Sequence, residues 1–273
     1  MQPIIVSGAA DYTVIQKVGE FPHFTVYICE LADGTECLFK IASDASKNVL
    51  LDREAFTLTC LQTEMNRRDD EYKRKSGGDK GLGFHHCIPR LVESFVSESQ
   101  SKRRVNVISV YGAETILELV PLQQWSTREN KRIDPKSSAW IMGRLLKIFT
   151  LTHPGGIAAS KVNGESILIN PARHHVSIFD WTEAVLHEGK LPQKIAQKEI
   201  AAAAREVILA LGGNLESKTL PDSDQLPDNR YATMLFGFAS GTVSDPLKAG
   251  AEFYELLDDL WEKSFHPFTT HNL

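Results

Sequence analysis

Residues 156–181 read GIAASKVNGESILINPARHHVSIFDW: a loop, a short apolar strand, a polar turn and a second apolar strand ending in Phe179-Asp180-Trp181. Ribbons of this kind often hold a nucleotide and its metal, and a carboxylate such as Asp180 is a hard oxygen ligand suited to magnesium. Such chemistry also needs a proton acceptor and a second oxygen ligand. The loop ahead of the first strand carries Ala159 and Lys161, and Ser166 stands at the strand's start. A charged lysine cannot accept a proton and repels a metal, although its ammonium can lie against a phosphate or a carboxylate.

Other residue clusters carry less. FHHC at 84–87 offers zinc-ligand types, but they are adjacent and lack the spacing that turns several ligands onto one point. It reads as a loop entering a strand. His174-His175 falls in the polar turn and is expected at the surface. RRDDEYKRK mixes both signs of charge, which reads as a solvated helix end rather than a nucleic-acid patch. No Ser-His-Asp order and no nucleophilic cysteine context stands out.

The elements that must position these residues follow from pattern. YTVIQKVG, TVYICEL and ECLFKIA are rich in β-branched and aromatic residues, and ADGT between the last two is a hairpin turn signal. VLLDREAFTLTCLQTEM repeats apolar residues at helical spacing. The charged, then glycine-rich, segment 66–83 reads as a helix end and a mobile insertion. IPRLVESFV and RRVNVISVYG supply two further strands, making a five-stranded sheet with one helix over residues 1–110. From 111 to 273 the chain is expected to be mainly helical, with DPKSSAWIMGRLLKIFTLTH capped by Asp134-Pro135, QKEIAAAAREVILALGG carrying an alanine face, and DPLKAGAEFYELLDDLWEKSF amphipathic. Two lobes with a ligand cleft between them are the expectation.

The composition fits. The 273 residues are 42% hydrophobic and 24% charged with a net charge of −5, which argues against a chain built to coat nucleic acid or an anionic membrane. No apolar run approaches the ~20 residues of a membrane span. The four cysteines lie far apart, as free thiols in a reducing compartment would, so a cytoplasmic protein is expected.

From Tyr12 to Thr269, the order of these elements resembles the protein-kinase-like fold. VGEFPHFTVY sits where that family carries its glycine-rich phosphate loop, CLFKIA where it carries the strand lysine, and DREAFTLTCL where it carries the helical glutamate that pairs with that lysine. VISVYGAETILELV is similar to the fifth strand and hinge, LLKIFTLTHPGGIAASKVNGESILIN to the long helix and catalytic loop, and SIFDW to the strand bearing the metal-binding aspartate. The resemblance implies an α+β bilobal fold, a β-rich N-lobe on an α-rich C-lobe, with 156–181 as the catalytic-loop hairpin. It makes Gly19, Lys40, Glu54, Val110, Gly112 and Asp180 the nucleotide-site positions and Asp180 and Ser166 the metal positions. A narrower likeness, in IPRLVESF, RRVNVI, DPKSSAW, INPARHHVSIFDW and FHPFTT, is to bacterial and phage kinase-like proteins, some of them linked to J-domain chaperones.

Phosphoryl transfer needs donors around the phosphates, a lysine on them, metal ligands and a carboxylate for the incoming hydroxyl. In this chain, Phe21, Pro22, His23 and Phe24 fill most of the phosphate turn, and Pro22 removes a donor. An ordinary aromatic-capped hairpin is one reading, and rings folded over the cleft another. Lys40 alternates with Phe39 and Ile41, and Glu54 would offset its burial. The resemblance puts Lys161 at the catalytic aspartate, Ala159 at the preceding histidine and Ser166 at the second metal ligand. Neither Asn163 nor Glu165 falls at the transfer site. Asp180 either holds a magnesium nucleotide or ties down its own loop. Only TEAVLHEGKLPQKIAQ separates Trp181 from Lys198, so the activation segment is short and the peptide platform absent, with Glu199 where the next helix usually starts with aspartate.

The expectation is a pseudokinase: a binding or regulatory protein with an unidentified protein partner, holding ATP and Mg²⁺ weakly if at all. Two alternatives stand beside it: a divergent ATP-dependent phospho- or nucleotidyl transferase, and an interaction module with a closed cleft.

Overall fold

Alternating side chains over residues 24–42 build the centre of the structure. In the computed structural model, which describes residues 4–110, 116–261 and 266–272, these residues form two strands of an antiparallel sheet. Strands β1 (Ile4–Ser7), β2 (Asp11–Glu20), β3 (Phe24–Glu30) and β4 (Glu36–Ala42) lead into helix α1 (Asn48–Ser76), followed by β5 (Arg90–Ser97) and β6 (Arg103–Ser109). The order in the sheet is β1-β2-β3-β4-β6-β5. It therefore has six strands where five are expected, because Ile4–Ser7 pairs along β2. Beyond it come β7 (Val120–Pro121), α2 (Gln124–Thr127), β8 (Lys131–Ile133), α3 (Pro135–Thr152), β9 (Ile157–Ala158), β10 (Ile167–Asn170), β11 (His175–Ile178), β12 (Val185–Leu186), α4 (Gln193–Ala210), α5 (Arg230–Ala239), α6 (Pro246–Leu260) and β13 (Thr270–Asn272).

The chain divides into two compact units, Met1–Glu118 with Asp180–Ala184, and Leu119–Phe179 with Val185–Leu273. In the first, the odd-numbered residues Cys37, Phe39 and Ile41 join Tyr12, Cys29, Val105 and Val107 in a buried cluster on one face of the sheet. The even-numbered residues face α1, whose Leu51, Ala55, Leu58, Leu61 and Met65 recur at helical spacing and are buried. Each of the leucines and the methionine contributes roughly 1.5–3 kcal/mol by leaving water.

Helix α1 runs through the charged part of 66–83, where a helix end was expected, as far as Ser76. Apolar periodicity stops at Met65, but Glu64 bonds Arg67 and Arg68, and Glu71 bonds Arg67 and Lys75, at helical spacing. These guanidinium groups hold the Glu64 carboxyl down at about 2. The helix ends at Gly77, whose φ of 68° is left-handed and whose N–H returns to the Lys73 carbonyl. The segment expected to be a mobile insertion is thus helical to Ser76, and Leu82 N–H is bonded to Asp69 Oδ1 at 2.7 Å.

In the second unit, Asp134 caps α3 by accepting the Ser137 N–H at 2.8 Å, with Pro135 in the first turn. The alanine face of α4 is buried, as close helix packing requires. Helix α5 has no counterpart among the expected elements. It is short, carries Gly237 in its interior and buries only Tyr231, Leu235, Phe238 and Ala239. β10 and β11 form the expected hairpin in the register Ile167↔Ile178 to Asn170↔His175. His174 in its turn is only partly exposed, since its ring stacks on Trp140 with centroids 4.7 Å apart.

Candidate functional site

The sheet register decides which side chains meet beneath α1. Lys40 on β4 lies opposite Val26 on β3 and Asn106 on β6. Its side chain is fully buried, a position that costs several kcal/mol for an ammonium without a counter-charge. Lys40 Nζ donates to Glu54 Oε1 at 2.5 Å and to Asp180 Oδ1 at 3.4 Å, and it stands 4.3 Å above the centre of the Phe24 ring. Glu54 is fully buried too. Its Oε1 also accepts the Trp181 N–H at 3.1 Å, and its Oε2 accepts Asn106 Nδ2 at 3.0 Å. Asn106 Nδ2 reaches the Leu51 carbonyl as well, and its Oδ1 accepts the Ser94 hydroxyl at 2.7 Å. This chain of bonds joins α1, β4, β5, β6 and Asp180–Thr182 through buried polar groups.

Phe24 follows from its turn. Phe21 N–H bonds the Phe24 carbonyl at 2.9 Å, closing residues 21–24, and the two rings stack at 4.9 Å. Phe24 is buried, and its ring presents its negative face to the ammonium, a contact of about 0.5–2 kcal/mol. Gly19 lies inside β2 opposite Val26, beside a register shift, and a side-chain carbon there would sit 3.5 Å from the Phe21 ring. Asp180 Oδ1 accepts the Thr182 N–H at 3.1 Å and the Thr182 hydroxyl at 2.6 Å, besides Lys40. These bonds tie the carboxylate to its own loop. Val110 is buried at the end of β6, and Gly112 lies outside the described residues.

In the second unit, the loop before β10 is held by Glu199. Its Oε1 accepts the Ser160 N–H at 2.8 Å, and its Oε2 lies 3.0 Å from His153 Nε2. The clamp supports Ser160 at a φ of 62°, a left-handed conformation that costs free energy in a non-glycine residue. Ala159 is buried, and Lys161 is half-buried, its N–H bonded to the Ala159 carbonyl at 2.7 Å. The Ser166 hydroxyl donates to the Lys161 and Asn163 carbonyls at 2.5 and 3.2 Å, which directs it into the loop backbone. Asn163 Oδ1 accepts the Ser166 N–H at 2.9 Å.

The residues present fit a magnesium nucleotide poorly. A phosphate would have to displace the Phe24 ring from the ammonium, and Asp180 Oδ1 already takes three donors. Among the described residues, no group of three or more His, Cys, Asp or Glu side chains is arranged to hold a metal, and FHHC forms a single helical turn with its two imidazoles 4.0 Å apart. None of the described helices is long and apolar enough to cross a membrane.

Sequence reasoning did not single out Asn106, Thr182 or His153. A polar residue inside the apolar run RRVNVIS was the available signal for Asn106. His153 and Thr182 carried none, because their partners are chosen by tertiary packing.

No protein-family profile and no curated protein matches this chain. Its fold is similar to that of vaccinia related kinase 3, at 13% identity and a TM-score of 0.62, over 95% of this chain and 90% of that one. It is similar also to the BubR1 kinase domain, at 9% identity and a TM-score of 0.63, over 95% of this chain and 84% of that one. The fold is α+β and protein-kinase-like.

Proposed function

We propose that the chain is a pseudokinase, a kinase-fold protein that works by binding a protein partner rather than by transferring phosphate. The observation that carries this reading is the Lys40 ammonium, which is surrounded by Glu54, Asp180 and the face of Phe24 rather than presented to a ligand. The Lys–Glu–Asp constellation then acts as a structural charge network, and ATP binds only weakly, by displacing Phe24. Lys161 at the position of the proton acceptor supports the same reading, since an ammonium cannot take the proton of an incoming hydroxyl. The likeness of IPRLVESF and INPARHHVSIFDW to bacterial and phage proteins, some linked to J-domain chaperones, makes a chaperone-containing complex the first place to seek the partner.

Thermal-shift titration with ATP, with and without magnesium, tests the nucleotide part. The wild type is expected to shift little at millimolar ATP, and Phe24→Ala to shift more, because it uncovers the ammonium. Transfer of label from γ- or α-labelled ATP, lost in Asp180→Ala, would refute the reading in favour of a transferase.

A further inference from the structure

The face of the six-stranded sheet away from Lys40 carries two groups that the pseudokinase reading does not use. Cys29 on β3 and Cys37 on β4 stand directly opposite each other in the sheet register, and both are free thiols buried in the cluster that includes Val6, Tyr12 and Phe39. Cys37 Sγ donates to the Cys29 carbonyl at 3.5 Å, so one sulfur lies against the backbone of the other residue. Opposed residues of an antiparallel pair have Cα atoms about 4.5–5.5 Å apart, inside the ~4.4–6.8 Å that a disulfide spans.

The pair is shut in by a strap, residues 4–10. β1 and β5 are the two edges of the sheet, yet the turn after β1 reaches β5. Glu93 Oε1 accepts the Ala9 N–H and Glu93 Oε2 accepts the Tyr12 hydroxyl at 2.9 Å. A side-chain carbon at Gly8 would sit 2.6 Å from Glu93 Oε1 and from the Phe95 ring, so the clasp closes only over glycine. Val6 on the strap and Tyr12 just beyond it are buried in the same cluster as the cysteines. Burial, then the charge of Glu36, raises the Cys37 thiol to about 11. Burial, then the neighbouring Cys37, raises Cys29 as well. The thiolate is the species that an oxidant meets, so the closed strap keeps the pair inert. A four-residue edge strand fastened by one carboxylate can open without unfolding the rest.

We infer that Cys29 and Cys37 form a strap-gated dithiol that hydrogen peroxide converts to a disulfide. With the strap open, one thiolate attacks a peroxide oxygen, the O–O bond breaks, and a sulfenic acid and hydroxide result. The other thiolate attacks that sulfur, the S–S bond forms and a second hydroxide leaves. The two thiol protons convert the hydroxides to water, and two electrons pass from sulfur to the peroxide. Opposed β-carbons stand about 4.5–5.5 Å apart, whereas a relaxed disulfide holds them at ~3.5–4.5 Å. The bond is therefore strained, and a thiol reductant reverses it readily.

Trypsin leaves both cysteines in one peptide, 18–40, which makes the test direct. The full-length protein is treated with hydrogen peroxide, alkylated and digested without reductant, and the peptide is weighed over time. It is expected to lose two hydrogens and escape alkylation, and to regain both thiols with dithiothreitol. Glu93→Gln and Gly8→Ala, which loosen the clasp, should form the bond about tenfold faster, the effect of losing one hydrogen bond to a charged group. Tyr12→Phe, which removes one of the two bonds and keeps the ring, replaces either variant if its melting temperature falls. The inference is overturned if the peptide keeps two alkylatable thiols in the clasp variants, if it passes to sulfinic or sulfonic acid without the bond, or if the variants and the wild type oxidise at one rate. None of these changes touches Lys40, Glu54 or Phe24, so this inference and the nucleotide reading fail separately.

Discussion

Replacing Glu54 by glutamine is the sharpest test of the buried network. The substitution keeps the shape of the side chain but removes its charge. It also turns one of two oxygens, which together accept Lys40 Nζ, the Trp181 N–H and Asn106 Nδ2, into a donor. Lys40 would then be a fully buried ammonium that has lost the Glu54 charge, with Asp180 at 3.4 Å and the Phe24 ring beside it. Breaking a buried pair from one side costs about 3–5 kcal/mol, a large share of the ~5–15 kcal/mol of a typical fold. At ~2–4 °C per kcal/mol for a chain near this size, the melting temperature should fall by roughly 6–20 °C. Urea and thermal unfolding of Glu54→Gln, Lys40→Met and the double variant form a cycle. The double variant should cost less than the sum of the singles, with a coupling of about 0.5–3 kcal/mol, because the second change removes the charge the first one stranded. A Glu54→Gln cost below about 1 kcal/mol, or additive costs, would refute the claim that the pair is a structural unit.

Two further predictions concern neighbouring groups. Asn106→Asp should destabilise more than Asn106→Leu, since it sets a second carboxylate against Glu54 Oε2, whereas leucine leaves Glu54 Oε2, the Leu51 carbonyl and the Ser94 hydroxyl each short of a partner, at about 1–3 kcal/mol for a neutral group, without adding a charge; urea midpoints rank the two. Burial, then the charges of Arg144, His266 and His175, lowers the His174 imidazole below its ordinary value near 6.5. Unfolding frees that histidine to protonate, so its contribution is intact above pH ~6.5 and is lost as pH falls through the lower folded value. Melting temperatures between pH 5 and 7.5 should therefore decline less steeply in His174→Asn, a residue that also tolerates the φ of 53° at this position.

What the amino-acid sequence determined by itself is whatever rests on local pattern. Period-two alternation turns Lys40 away from Phe39 and Ile41 and under α1, helical spacing puts Glu54 on the buried face, and Asp134-Pro135 starts α3. That the loop before β10 carries Ala159, Lys161 and Ser166 was legible as well, and a charged lysine cannot accept a proton whatever surrounds it. The full length of α1 was harder to see, since its last three turns rest on ion pairs rather than on apolar repeats. Helix α5 was missed for a related reason: a glycine and few buried residues leave little local signal.

Only the tertiary structure decided what those groups touch. Asn106 meets Glu54 because the β4–β6 register sets Asn106 opposite Lys40, and register is a non-local choice between strands more than sixty residues apart in sequence. Phe24 covers the ammonium because the turn at 21–24 aims the ring there, and Glu199 clamps Ser160 and His153 from a separate helix. Each of these contacts satisfies a buried polar or charged group, and which partner does so is settled by packing, where an unpaired group costs more free energy than local propensity supplies.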